Sequence, residues 1–167
     1  ARKHGVWNED AQFRKEVTRE EVLASRPVAD PLKLFHCCPS GDGAAAVVIC
    51  SAEKAKQYST APIRVMGSEI NSGKYMTGYR DMTSPEITLR GAKQLYEEAG
   101  IGPEDVDLAE VHDAFAIAEL LYYEALGFCV KGDAAKLLAD GETSVGGKIP
   151  VNPSGGLLSK GHPIGST

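Results

Sequence analysis

No stretch of this sequence approaches the roughly 18 consecutive apolar residues of a membrane-spanning helix. The N-terminal ARKHGVWNEDAQ also lacks the charged-then-apolar layout of a signal peptide. The expectation is a cytoplasmic chain with no membrane partner. Positive charge is not in surplus either: 18 Lys and Arg against 23 Asp and Glu leave a net charge of -5. With the two signs interleaved, the basic stripe that grips a phosphate backbone is missing, and nucleic acid is not expected as a partner. The four cysteines, Cys37, Cys38, Cys50 and Cys129, show neither CxxC spacing nor the density of a secreted disulfide scaffold, so reduced thiols are expected. There is no internal repeat and no low-complexity tract.

What is present suits one ordinary domain: 167 residues, 43% hydrophobic and 25% charged, enough apolar material for a core. VTREEVLASRP starts a short helix with a capping box, Thr18 and Glu21, and Pro27 forbids its continuation. Strand-like and helix-like segments then alternate. AAAVVIC, residues 44–50, is an apolar run of strand length, and Ser51 is placed to cap a helix over SAEKAKQY. PIRVMGSEI predicts a second strand. After Ser84 as cap and Pro85 at the first helical position, a helical period runs until Gly100. VDLAEV predicts a third strand, and Asp113 is placed to cap a helix from Ala114 to Leu126 that ends at Gly127. That helix carries only Glu119 and Glu124 as charges, which predicts a buried, central position. The C-terminal SVGGKIPVNPSGGLLSKGHPIGST is rich in glycine and proline and reads as loop with at most a short strand at KIPVN. Alternation of this kind indicates helices packed over a sheet.

Two histidines stand out by position. His112 lies where a strand meets a helix N-terminus, whose positive potential disfavours an imidazolium, so a neutral ring could donate an N–H to a nascent oxyanion. A buried histidine satisfied by local backbone fits the same position. His162 sits between Gly161 and Pro163, where proline restricts its backbone and glycine permits close approach. A ring so held suits a general base, and a plain turn histidine is the alternative. His36, Cys37, Cys38 and Asp42 bunch together, but adjacent cysteines lack metal-ligand spacing and no metal is expected. GDGAAA precedes a strand where a dinucleotide fingerprint must follow one, so phosphate cradling is not expected. Tyr122 and Tyr123 read as packing, and Lys160 as either an anion contact or a solvated side chain.

Taken together, AQFRKEVTREEVLASRPVADPLKLFHCCPSGDGAAAVVI, AEVHDAFAIAELLYYEALGF and NPSGGLLSKGHPIGST resemble the C-terminal half of a thiolase of the lipid-transfer (sterol carrier protein X) type. The resemblance covers nearly the whole chain. It implies an α/β fold: the C-terminal half of a thiolase fold, with layered helices over a mixed sheet, stopping before the final helix and hairpin. Residues 1–40 would lead in from an N-terminal half and a loop domain, and 41–167 would form an incomplete C-terminal domain.

The implied activity is that of an acyl-CoA C-acyltransferase, condensing or thiolytically cleaving 3-ketoacyl-CoA. Coenzyme A thioesters are then substrates and no cofactor is needed. The implied catalytic residues are His162, which would activate a cysteine of the N-terminal half and help bind the thioester oxygen, and His112, which would bind the enolate oxygen of acetyl-CoA. Ala114, Phe115, Gly161 and Ile164 would line the pantetheine and acyl pocket. None of the four cysteines falls at a family catalytic position, so the 167 residues alone are expected to be inactive. The family further implies acetyl-CoA and acyl-CoA as ligands, a homo-oligomer, and in some members a small OB-fold partner. Two other outcomes fit the resemblance: a thiolase-fold aldolase or lyase, whose members tend to alter the HDAF histidine, or a non-catalytic acyl-CoA-binding subunit. Acyl chain length and the direction of reaction stay open.

Overall fold

The computed structural model describes residues 1–58, 61–75 and 77–165. Residues 166–167 of the expected C-terminal domain therefore lie outside it. In chain order the elements are helices α1 (Arg2–Gly5) and α2 (Arg19–Ala24), strands β1 (Pro27–Ala29) and β2 (Leu32–Lys33), and helices α3 (Ala52–Ala55), α4 (Glu86–Ala99), α5 (Ala116–Ala125), α6 (Ala134–Ala139) and α7 (Gly156–Lys160). Short 3-10 turns occupy Leu34–His36 and Pro103–Asp105.

Local chemistry sets several of these boundaries. At α2 the capping box forms as expected: Thr18 Oγ1 accepts from Glu21 N at 3.2 Å, while Glu21 Oε2 accepts from Thr18 N at 2.8 Å. Ser51 Oγ accepts from Lys54 N at 3.2 Å and starts α3. α4 ends where Gly100 takes the left-handed conformation, φ 67°, which a side chain would resist. Its start is one residue later than expected, with Pro85 rather than Ser84 at the cap position.

Helices lie over a small set of mixed pairings. β1 and β2 are antiparallel. Isolated antiparallel pairing joins Cys37 to Phe115, and parallel pairings join Ser40 to His162 and Ala109 to Val151. VDLAEV and KIPVN thus meet at one rung: Ala109 N donates to Pro150 O at 3.0 Å and Asn152 N to Ala109 O at 2.8 Å.

The expected strands over 44–50 and PIRVMGSEI do not form. No element is assigned there, and Val47, Val48, Ile49 and Ile63 stand exposed. A strand exists only through a neighbouring backbone that takes its N–H and C=O groups, and among the described residues these runs have no such ladder.

The core sits under α5 and α6, where Tyr123, Ala134, Ile149 and Val151 are buried and Val106, Leu120, Phe128 and Leu137 pack against them. α5 is shorter than expected and buries one face rather than all of it: Tyr123 is fully enclosed while Ile117 is exposed. α4 is tied to its end by Tyr96 Oη donating to Leu126 O at 2.9 Å. The N-terminal residues close the other side. α1 packs on α7, Phe13 N donates to Ser159 O at 2.9 Å, and Asn8 Nδ2 donates to Ser154 O at 2.8 Å.

Candidate functional site

His112 and His162, 50 residues apart in sequence, meet edge to face with ring centroids 4.7 Å apart and an interplanar angle of 80°. Backbone bonds to one extended strip bring them together. Cys38 N donates to Ala114 O at 2.9 Å beside the pairing of Cys37 with Phe115, and His162 N donates to Pro39 O at 2.9 Å beside the pairing of Ser40 with His162. Residues 37–41 therefore carry the HDAF loop at one end and the GHP loop at the other.

Gly161 makes the second attachment possible. It is buried at φ 98°, and a Cβ there would lie 2.9 Å from Gln12 Oε1 and 3.7 Å from Gly41 Cα. Only glycine combines this backbone angle with such proximity.

Burial, and then the neighbouring charge of His162, push the His112 imidazole below its usual range. That direction favours the neutral ring; α5 begins only at Ala116, four residues beyond His112. His162 Nδ1 is buried with no hydrogen-bond partner among the described residues.

A cleft of about 610 Å³ opens beside His112, lined also by Asp42, Glu110, Lys160 and the two neighbours of His162, Gly161 and Pro163, while the His162 ring itself is not part of its wall. Lys160 Nζ lies 3.9 Å from Glu110 Oε2, an exposed ion pair. Ala114 and Phe115 follow His112 closely in the chain, with Phe115 half exposed, whereas the Ile164 side chain is 94% exposed.

Two of the thiols are shifted away from reactivity. Burial first, then the charges of Asp113 and Cys37, push the Cys38 thiol up, and burial does the same for Cys129. An activated nucleophile needs the opposite shift. Among the described residues no three of His, Cys, Asp and Glu are grouped to hold a metal ion.

Three polar residues behind the histidines escape a reading of the sequence by local pattern. Asp113 does not cap α5; Phe115 occupies the cap position, and Asp113 is buried with Oδ1 accepting from Leu157 N at 2.6 Å. Once the carboxylate is engaged by α7, it has turned away from its own helix. Asn152 is fully buried at φ 50°, a left-handed angle that asparagine tolerates. Its Oδ1 accepts from Val111 N at 2.8 Å and its Nδ2 donates to Glu119 Oε2 at 3.1 Å. Glu119 in turn accepts from Tyr123 Oη at 2.5 Å, and burial followed by that carboxylate pushes the tyrosine strongly up. The available signal was a carboxylate on an otherwise apolar helix face, which must be paired to be buried.

Residues 67–167 match the family described as thiolase C-terminal domain-like. The benzoylsuccinyl-CoA thiolase subunit BbsB of Thauera aromatica is 54% identical over 99% of this chain and 43% of its own length. An acetyl-CoA acetyltransferase of Methanothermobacter thermautotrophicus is 45% identical over 96% of this chain and 42% of its own. Sterol carrier protein 2 of Oryctolagus cuniculus is 40% identical over 99% and 31%. The chain thus spans less than half the length of these relatives. Among solved structures, the Ltp2-ChsH2(DUF35) aldolase superposes with a TM-score of 0.89 at 33% identity, over 96% of this chain and 44% of the other.

Proposed function

Because the chain belongs to the thiolase family, through its C-terminal domain, we propose that the intact protein is an acyl-CoA C-acyltransferase. It performs Claisen condensation of acyl-CoA with acetyl-CoA, or thiolytic cleavage of a 3-ketoacyl-CoA. The observation that carries this reading is the pair of imidazoles 4.7 Å apart, held by backbone rather than by mobile side chains.

The chemistry assigns them different duties. Acyl transfer needs a base within hydrogen-bond reach of a thiol and donors aimed at the oxygen where charge develops. His162, with a buried Nδ1 and a backbone pinned to Pro39, serves the thiol. His112, kept neutral by burial and by His162, offers an N–H to the enolate oxygen of acetyl-CoA. Neutrality matters because a ring that is already protonated near His162 would compete with the proton that base must take up.

Ala114, Phe115 and Gly161 wall the pantetheine and acyl channel, and Ile164, exposed in these residues alone, is available to join that wall. The nucleophile is none of the four cysteines here, since none falls at a family catalytic position; the raised thiols of Cys38 and Cys129 support this reading. The 167 residues by themselves therefore have no thiolase activity. Residues 1–40 act as a lead-in to a domain that runs from residue 41. One similar protein is named as a subunit and another carries two joined names, which supports a partner subunit; that this is a small OB-fold protein, beside a homo-oligomer, is part of the same proposal.

A second reading has a specific observation behind it: the superposed solved structure is an aldolase. Retro-aldol cleavage needs a base for a hydroxyl and a stabilised enolate, but no acyl-enzyme. Retention of the histidine in HDAF favours the thiolase reading over this one. The test is thiolysis of a 3-ketoacyl-CoA by the intact protein and by His162→Ala. Turnover should fall at least ~100-fold in the variant. A nearly normal rate would remove the role given to His162, and retro-aldol cleavage without thiolysis would favour the second reading.

A further inference from the structure

The two histidine loops are each fastened to the strip 37–41, which fixes two sides of a triangle. The third side, between the loops, is bridged at the surface by Glu110 with Ser154 and Lys160, and in the buried layer by the Asp113 side chain. We propose that Asp113 is a positioning residue that sets the separation of the His112 and His162 rings by holding the helix that leads into the GHP loop. The inference rests on the functional reading of the imidazole pair and adds to it the residue that spaces them.

Asp113 follows His112 in sequence, so its backbone moves with that ring. Its Oδ1 accepts from Leu157 N, in the first turn of α7, at 2.6 Å. α7 runs to Lys160 and passes directly into Gly161 and His162. A displacement of the carboxylate is thus transmitted through one five-residue helix to the second ring.

The surroundings are shaped for this contact. Gly155 and Gly156 take φ angles of 101° and 59°, and a Cβ on Gly156 would collide with the Asp113 carboxylate. The left-handed pair turns the Leu157 amide inward and leaves room for nothing but the acid.

The carboxylate is also an expensive choice. Asp113 is fully buried, and its Oδ2 has no hydrogen-bond partner among the described residues. A half-satisfied buried acid costs free energy that a neutral acceptor would not, and its pKa is pushed up by burial to about 6. A group retained at such a cost in one of two adjoining loops is the kind of local conflict expected at a functional site.

The test uses the intact protein and three substitutions. Asp113→Ala removes the acceptor, Asp113→Glu drives a longer side chain into Gly156, and Asp113→Asn keeps an oxygen facing Leu157. With rates normalised to folded protein, kcat should fall at least 30-fold in the Ala and Glu variants while KM for the acyl-CoA changes less than about 3-fold. Asp113→Asn should recover kcat to within about 5-fold of the parent.

An independent readout follows the rings themselves. By NMR titration, the depressed pKa of His112 should rise part of the way toward its ordinary value in Asp113→Ala as the smaller of its two causes, the neighbouring His162, moves away, and should keep its full depression in Asp113→Asn. Parent-like kcat in Asp113→Ala, or an unchanged His112 titration in that variant, would overturn the proposal. A parent protein with no thiolase turnover would defeat the functional reading alone, since the NMR titration still decides what Asp113 holds.

Discussion

Val48 and Val151 are the same residue in apolar runs that look alike, yet one is 96% exposed and the other fully buried. Val151 finds a partner: its neighbours Pro150 and Asn152 bond to Ala109, and its side chain joins Tyr123 and Ile149 in the core. The run from Ala44 to Cys50 finds none among the described residues. The difference teaches that an apolar run states a need for cover, while the strand itself arises only where a second backbone meets it. It also separates the molecule into a tightly bonded region behind the histidines and an extended one in front of α4.

Perturbing the bonded region should have the larger effects, beginning with Asp113. Its pKa is raised from 3.8 to about 6 by burial, so the folded state binds a proton more tightly than the unfolded chain does. The stability it contributes is fully present below about pH 4, declines as pH rises toward 6, and is level above that. Relative to Asp113→Asn, which does not titrate, the unfolding free energy of the intact parent should lose roughly 3 kcal/mol across this window. Urea melts of both proteins between pH 4 and 7 measure it, and parallel pH curves would contradict the assignment.

Val151→Ala should come next, at about 2 kcal/mol, from lost transfer energy and a small cavity, read from the denaturation midpoint. Val48→Ala should cost less than about 0.5 kcal/mol if its exposure holds in the intact protein. A loss near that of Val151→Ala would break the comparison, by showing that another part of the protein covers the run.

What the sequence made legible was whatever depends on neighbours in the chain. The Thr18–Glu21 capping box, the Ser51 cap and the Gly100 stop are short-range hydrogen bonds and backbone angles, and they form where expected. Family motifs placed His112 and His162 in one reaction, and the rings do meet. What local pattern could not supply was the choice between equivalent partners. Asp113 had two helices within reach and took the distant one, because the glycine pair turned the Leu157 amide inward while the start of α5 slid to Ala116. Asn152, placed in an apparent loop, fills the role of the next rung by offering its side-chain oxygen to Val111. Such outcomes depend on contacts 41 and 44 residues apart, which no window of adjacent residues contains.

The strip from Cys37 to Gly41 holds both loops by main-chain atoms alone, through Cys38 N and Pro39 O. Its side chains are consequently free to diverge without re-aiming either ring. A lineage could swap Cys37, Cys38 or Ser40 and so reshape the surface of the strip while the spacing of the two loops stays as it is.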